Sequence, residues 1–109
     1  MHNTDDAKFM DDVLKRSYGA PVVVMFHSPT CGPCASMKPM IERLATELGF
    51  LLVGVDASRN RGLVTSESVR AVPTMMIYKN GKQHGSSLAG AKTEPVVRSY
   101  LHAHGVAGA

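Results

Sequence analysis

Pro21-Val22-Val23-Val24-Met25-Phe26, followed after four residues by Cys31-Gly32-Pro33-Cys34, is the stretch on which the fold turns. The uninterrupted apolar run reads as a strand covered on both faces, as in a parallel sheet flanked by helices. Just beyond the second cysteine, Met37, Met40, Ile41, Leu44, Ala45 and Leu48 fall at helical spacing, and Gly49 ends the pattern. Strand, loop and helix start therefore enclose the only two cysteines of the chain. Two thiols at this spacing and at such a junction form a dithiol/disulfide couple.

Outward from that stretch the pattern alternates. Residues 1–4 are polar and expected to be loose. Thr4 is placed to cap a helix from Asp5, with Asp5 and Asp6 in its first turn and Phe9, Met10, Val13 and Leu14 inward. Tyr18-Gly19-Ala20-Pro21 ends it. Pro39 sits inside the next helix and should kink it. Phe50 to Val55 is a second strand closed by Asp56, which caps the Arg-rich loop 57–62. A short helix from Leu63 to Val69 leads to a third strand, Thr74 to Lys79. Asn80-Gly81 is a two-residue hairpin turn that returns Lys82 to Leu88 antiparallel. Thr93 caps a last helix with Val96, Val97, Tyr100 and Leu101 inward, and the Gly/Ala tail after His104 frays. Tyr78 and Tyr100 are expected at the core edge with wet hydroxyls. Met75 and Met76 should point to opposite sides of their strand. This order predicts one α/β domain over residues 1–109, a mixed sheet with helices on both faces. Right-handed crossovers from the first strand to the second and third put the dithiol at the sheet edge where ligand sites form.

Composition narrows the function classes. The chain has 109 residues and is 44% apolar, enough for one core and too apolar for disorder. Its net charge of +3 comes from 12 basic and 9 acidic residues, with the basic ones scattered. That scatter reads as a solvated surface, so no nucleic acid partner is expected. No apolar run approaches the ~18–20 residues of a membrane span. Asp5, Asp6, Asp11 and Asp12 stand where a secretory signal would be apolar, so a cytoplasmic location is expected. In that compartment a close cysteine pair serves catalysis or sensing more often than bracing.

The chemistry follows from position. Cys31 falls at a helix start, where unpaired N–H groups and the helix dipole favour a thiolate and lower a thiol pKa into the range ~3.5–7.5. Cys34 lies about one turn on, with Cβ atoms ~5–6 Å apart at such spacing. Cys31 then attacks a substrate disulfide, and Cys34 resolves the mixed disulfide. Gly32 permits close approach, and Pro33 stiffens the loop. Two other readings stay open at this level. The pair could be half of a zinc site recruiting His27 or His84, although four ligands are usual and no second cysteine pair exists. It could also be two inert buried thiols. His102 and His104 are two apart, so they share no helix face and serve the helix C-terminus instead.

The sequence resembles the thioredoxin family. The resemblance rests on Phe26, Cys31-Gly32-Pro33-Cys34, Lys38-Pro39, Val55-Asp56, Val72-Pro73-Thr74, Lys79-Asn80-Gly81-Lys82 and Gly90-Ala91, in that order. It implies the thioredoxin fold and reduction of protein disulfides, with no cofactor bound by the chain itself; nothing in the sequence points to an obligate dimer, so a monomer is expected. Recharging would come from a thioredoxin reductase-like donor drawing on NADPH. Carried onto this chain, Cys31 is the attacking thiol and Cys34 the resolving one. Pro73 matches the family's cis-proline, leaving the Val72 backbone free for substrate. Gly90 and Ala91 match its docking surface. The departures are specific. Met25 stands where a buried aspartate is usual, and Leu52 where a lysine accompanies it. His27 and Thr30 replace the two tryptophans flanking the loop. With only Met1 to Asn3 ahead of the first helix, the first strand is expected to be truncated to a stub at most, beside a central four-stranded sheet. His27 becomes a candidate base, since a free imidazole titrates near ~6.5. Two rivals remain: a binding or chaperone module with a vestigial dithiol, and a disulfide oxidant or isomerase.

Overall fold

The computed structural model describes residues 1–106. Its sheet runs in the order β1 (His2–Thr4), β3 (Leu51–Asp56), β2 (Val22–His27), β4 (Thr74–Lys79), β5 (Lys82–Gln83), with β6 (Leu88–Ala89) also on β4. The parallel centre is β2 (Val22–His27) against β3 (Leu51–Asp56), pairing Val24 with Val53 and Phe26 with Val55. Val22 through Phe26 are all buried, as an apolar run closed on both sides requires. Even positions of β2 face one layer and odd positions the other. Val22, Val24 and Phe26 pack with Phe9, Val13 and Leu63, while Val23 and Met25 pack with Met37, Ile41 and Leu101. Helices therefore cover both faces.

The main correction is in the direction of β4 (Thr74–Lys79), which runs antiparallel to β2 and not parallel by a crossover. Helix length explains it. α2 (Arg61–Ser66) has six residues, about 9 Å of rise, against ~20 Å for a six-residue strand. It cannot carry the chain back across the sheet, so β4 enters from the end at which β3 leaves. β1 (His2–Thr4) is a real three-residue strand, parallel to β3, where loose residues were expected. The return strand is split into β5 (Lys82–Gln83) and β6 (Leu88–Ala89), both antiparallel to β4. The sheet thus has six strands, counting three short ones, instead of four.

The N-terminal helix starts later than its charge pattern suggests. Asp5, not Thr4, supplies the cap: its carboxylate accepts the Ala7 and Lys8 N–H groups at 3.0 and 2.9 Å. The segment then winds as a wide π-type helix, Met10–Lys15, and tightens to a 3-10 turn at Arg16–Tyr18. The wider turn buries Phe9 and Val13 but leaves Met10 61% exposed. Asp6 ties this segment to the start of α2 (Arg61–Ser66) on the same face of the sheet. Its N–H donates to Asn60 Oδ1 at 2.9 Å, Asn60 Nδ2 donates to the Asp56 carbonyl at 2.9 Å, and Asp6 Oδ1 accepts the Leu63 N–H at 3.0 Å.

α1 (Gly32–Leu48) runs on through Pro39 and ends at Gly49, whose φ of 74° suits a residue without a Cβ. α3 (Glu94–Ala103) begins after Thr93, whose hydroxyl makes no capping bond, and Val96 faces outward. Val106 is buried in the α1/α3 cluster, so fraying does not begin at His104; residues 107–109 lie outside the described residues. Tyr78 is no edge residue. It is 1% exposed and its hydroxyl donates to Glu67. The Tyr100 hydroxyl donates to the Ser86 carbonyl at 2.8 Å. Met75 and Met76 do take opposite faces.

Candidate active site

Cys31 is the N-cap of α1, in extended conformation at φ −93° and ψ 105°. Its sulfur accepts the Cys34 N–H at 3.1 Å, one of the donors a helix start leaves unpaired. The two cysteines are disulfide-bonded, with Cα atoms 5.2 Å apart. Their exposures differ in the way sequential chemistry needs. Cys31 is half-buried, whereas Cys34 is 3% exposed and packed among Met25, Met37 and Met75. Gly32 and Pro33 stand in solvent in the first turn, where proline's missing N–H costs no bond.

The floor of the site is hydrocarbon. Met25 has no exposed surface, and Leu52 lies in the same apolar cluster as Cys34. These are the positions at which the resemblance would place a carboxylate and an ammonium.

The ionisable group beside the dithiol enters from the strand end. His27 lines a pocket of about 250 Å³ together with Cys31, Cys34, Ala35 and Lys38. It also borders a second pocket with Asn3, Asp56 and Asn60. Its Nε2 is buried and has no hydrogen-bond partner among the described residues. The imidazole lies close to Gly54 of β3, where a Cβ would come within 3.2 Å of Nε2. Burial holds the His27 pKa below the usual imidazole value; Asp56 opposes this and Lys38 adds to it. The ring is therefore neutral at pH 7.

The opposite rim is the 70–73 loop. The Val72–Pro73 peptide is cis, and Pro73 is buried. The Pro73 carbonyl accepts the Gly90 N–H at 2.7 Å, with Gly90 at φ 87°, a conformation few other residues adopt. Val72 is half-buried, packs on the cluster that holds Cys34, and makes no backbone hydrogen bond among the described residues. The structure thus brings Cys31, Cys34 and His27 into one pocket. Val72 lies in the adjoining groove with Ser28 and Arg70. Thr30 and Ala91 are exposed and Gly90 half-buried, and none of the three lines either cavity.

The zinc alternative finds no ligand set, because no three His, Cys, Asp or Glu side chains converge among the described residues. His84 lies against His104, ring centroids 6.2 Å apart. The His104 ring bonds the Tyr100 carbonyl at 2.8 Å, a helix-end role. Sequence reasoning missed two features of the site. Lys38 walls the dithiol pocket, and Gly54 makes room for His27. The signal for the second was a glycine inside an apolar strand.

A thioredoxin family model matches residues 1–103. The chain belongs to the thioredoxin family. It is 32% identical to thioredoxin 1 of Synechococcus elongatus, over 91% of this chain and 92% of that protein. It is 37% identical to the thioredoxin of Rhodospirillum rubrum, over 75% and 79% respectively. The X-ray structure of Fasciola hepatica thioredoxin superposes with a TM-score of 0.85 at 30% identity, covering 95% of this chain and 99% of that one. As a member of the thioredoxin family the chain is a thiol-disulfide oxidoreductase, and Cys31–Cys34 is its redox pair. No helix among the described residues is long and apolar enough to cross a membrane.

Proposed function

We propose that the chain reduces protein disulfides in two steps, with Cys31 attacking, Cys34 resolving, and the Cys34 proton leaving through the His27 pocket. The observation that carries this reading is the asymmetry of the pair: a reachable sulfur at a helix N-cap with an N–H aimed at it, above a buried partner. In the first step the Cys31 thiolate breaks the substrate S–S bond, forms a mixed disulfide and releases one substrate thiolate. In the second, Cys34 loses its proton and attacks Cys31 Sγ. The Cys31–Cys34 bond forms, the second substrate thiolate leaves, and the substrate has gained two electrons. Hydrocarbon beneath Cys34 offers no proton acceptor, whereas neutral His27 borders the same pocket. The unpaired Val72 backbone supports pairing with an extended substrate segment.

The reading needs no bound cofactor, because both electrons reside in the dithiol. An NADPH-linked reductase would restore them, and the protein would work as a cytoplasmic monomer with Gly90, Ala91 and Thr30 bordering the docked substrate. A binding module with an idle dithiol is the second reading, favoured by the apolar residues Met25 and Leu52 at the polar-pair positions. One experiment separates them. With dithiothreitol as donor, insulin disulfides should be reduced by the native chain and not by Cys31→Ser. Native activity no higher than that variant's leaves the binding module. In the same assay His27→Gln should slow the Cys34 step across pH 6–9, and an unchanged rate removes His27 from the mechanism.

A further inference from the structure

The carboxylates and the cations of this chain are distributed differently with respect to their partners. All nine Asp and Glu side chains are engaged. Asp5 and Asp6 accept backbone N–H groups. Asp11 meets Lys15 and Asp12 meets His2. Glu42 holds the Met1 amine. Glu47 and Glu94 share Arg43 and Arg98. Glu67 takes the Tyr78 hydroxyl. Asp56, the acid closest to the dithiol along β3, accepts the Ser58 N–H at 3.0 Å and its hydroxyl at 2.6 Å, with Arg59 3.9 Å away.

Eight of the twelve Lys and Arg side chains have no such partner among the described residues: Lys8, Arg16, Arg61, Lys79 and Lys82 elsewhere on the chain, and three on the segments around the dithiol. Lys38 is exposed on α1 and walls the pocket of Cys31 and Cys34. Arg70 is exposed in the groove of about 310 Å³ that continues from Ser28 to Val72. Lys92 is exposed two residues beyond Gly90, which is bonded to the Pro73 carbonyl. None of the three forms an ion pair among the described residues. They stand on three separate segments: α1 beside the redox pair, the cis-proline loop, and the turn before α3 that is bonded to that loop.

We infer that this chain selects protein disulfides whose cysteines are flanked by acidic residues, through Lys38, Arg70 and Lys92. The inference rests on the reductase reading and adds the chemistry of the segment that docks. A segment extended along Val72 would lie beside Arg70 in the same groove and next to the Gly90 turn that carries Lys92, and its acidic side chains would supply the counter-charge that the chain's own carboxylates do not. An acidic segment is also steered toward this rim before contact, while a basic one is repelled. Exposed charges act weakly one at a time, so the effect depends on the three together and on low salt.

The test uses three otherwise identical disulfide-bonded peptides with Glu, Ser or Lys on both sides of the cysteines, reduced by the whole chain with dithiothreitol as donor. At ~10 mM salt the Debye length is ~30 Å, and kcat/KM for the Glu peptide should exceed that for the Lys peptide about five- to twenty-fold. Half-molar sodium chloride should bring the ratio to within about two-fold. The double variant Arg70→Glu, Lys92→Glu should flatten or reverse it, and exposed Lys92→Glu alone should shrink it. The ratio is taken within one preparation, so loss of folded protein cancels. Equal rates at low salt, a preference for Lys, or a ratio indifferent to salt and to charge reversal would overturn the inference while leaving the reductase intact. Failure to reduce any of the three peptides would remove the reductase reading and this one with it.

Discussion

The two faces of the sheet are built from different materials. Under the N-terminal helix and α2 the core is aromatic and β-branched: Phe9, Phe26 and Tyr78 among valines. Phe9 and Tyr78 meet edge to face, centroids 5.4 Å apart at 81°, and Glu67 fixes the Tyr78 hydroxyl. Under α1 and α3 the core is thioether-rich, with Met25, Met37 and Met75 buried around Cys34. Aromatic rings hold one geometry, whereas methionine adapts to its neighbours. The contrast is one of proportion, since Met76 joins the first face and Tyr100 the second, and the aromatic rings concentrate on the face away from the sulfurs. The face that must accept a disulfide closing and opening is the adaptable one.

Three substitutions or conditions would break or sharpen that division. The largest effect is expected at Tyr78→Ala, which empties the aromatic face and should cost about 3–5 kcal/mol in urea unfolding. Turnover per folded molecule should stay near native; a matching loss of turnover would mean that the faces are not separable. Next comes Met25→Asp, which puts a carboxyl on the adaptable face. If burial raises its pKa from ~3.9 to ~6, the pH-dependent cost is about 3 kcal/mol at pH 7. That cost arises because the unfolded chain ionises first, so it should fade below about pH 4. A pH-independent loss would show that the face resists a polar group only by shape. The smallest effect is alkaline. Burial pushes the Tyr100 pKa up to about 12, and burial with the Glu67 bond pushes Tyr78 higher. Both stay protonated when the unfolded chain ionises near pH 10, so stability should fall as pH rises past that point. At pH 11 the loss is about 1.4 kcal/mol for each tyrosine, and Tyr78→Phe should remove half of it.

Periodicity carried most of the fold because apolar strands announce themselves. Thr74–Lys79 lies at its expected bounds, and α1 buries Met37, Ile41 and Leu44 as its spacing requires. What periodicity could not supply was strand direction, since that depends on whether a six-residue helix can span the sheet. Nor could it show that the N-terminal helix would widen and turn Met10 outward, or that three residues would suffice for β1 once β3 offered a free edge. Tyr78 was misplaced because a tyrosine reads as amphipathic, and only the distant Glu67 makes its burial tolerable. At the site, Cys31 and Cys34 were legible from spacing alone. The setting of His27 was not, because the space it occupies is a property of Gly54 on another strand.

Asn60 joins pieces of chain that are far apart in sequence. Through it and Asp6, residues near the beginning of the molecule are stitched to the turn after β3, which lines the second pocket beside His27. Anything that peels residues 2–6 away would unlatch that turn as well. The start of the chain is thus a clasp on the loop that borders His27 on the side away from the dithiol pocket.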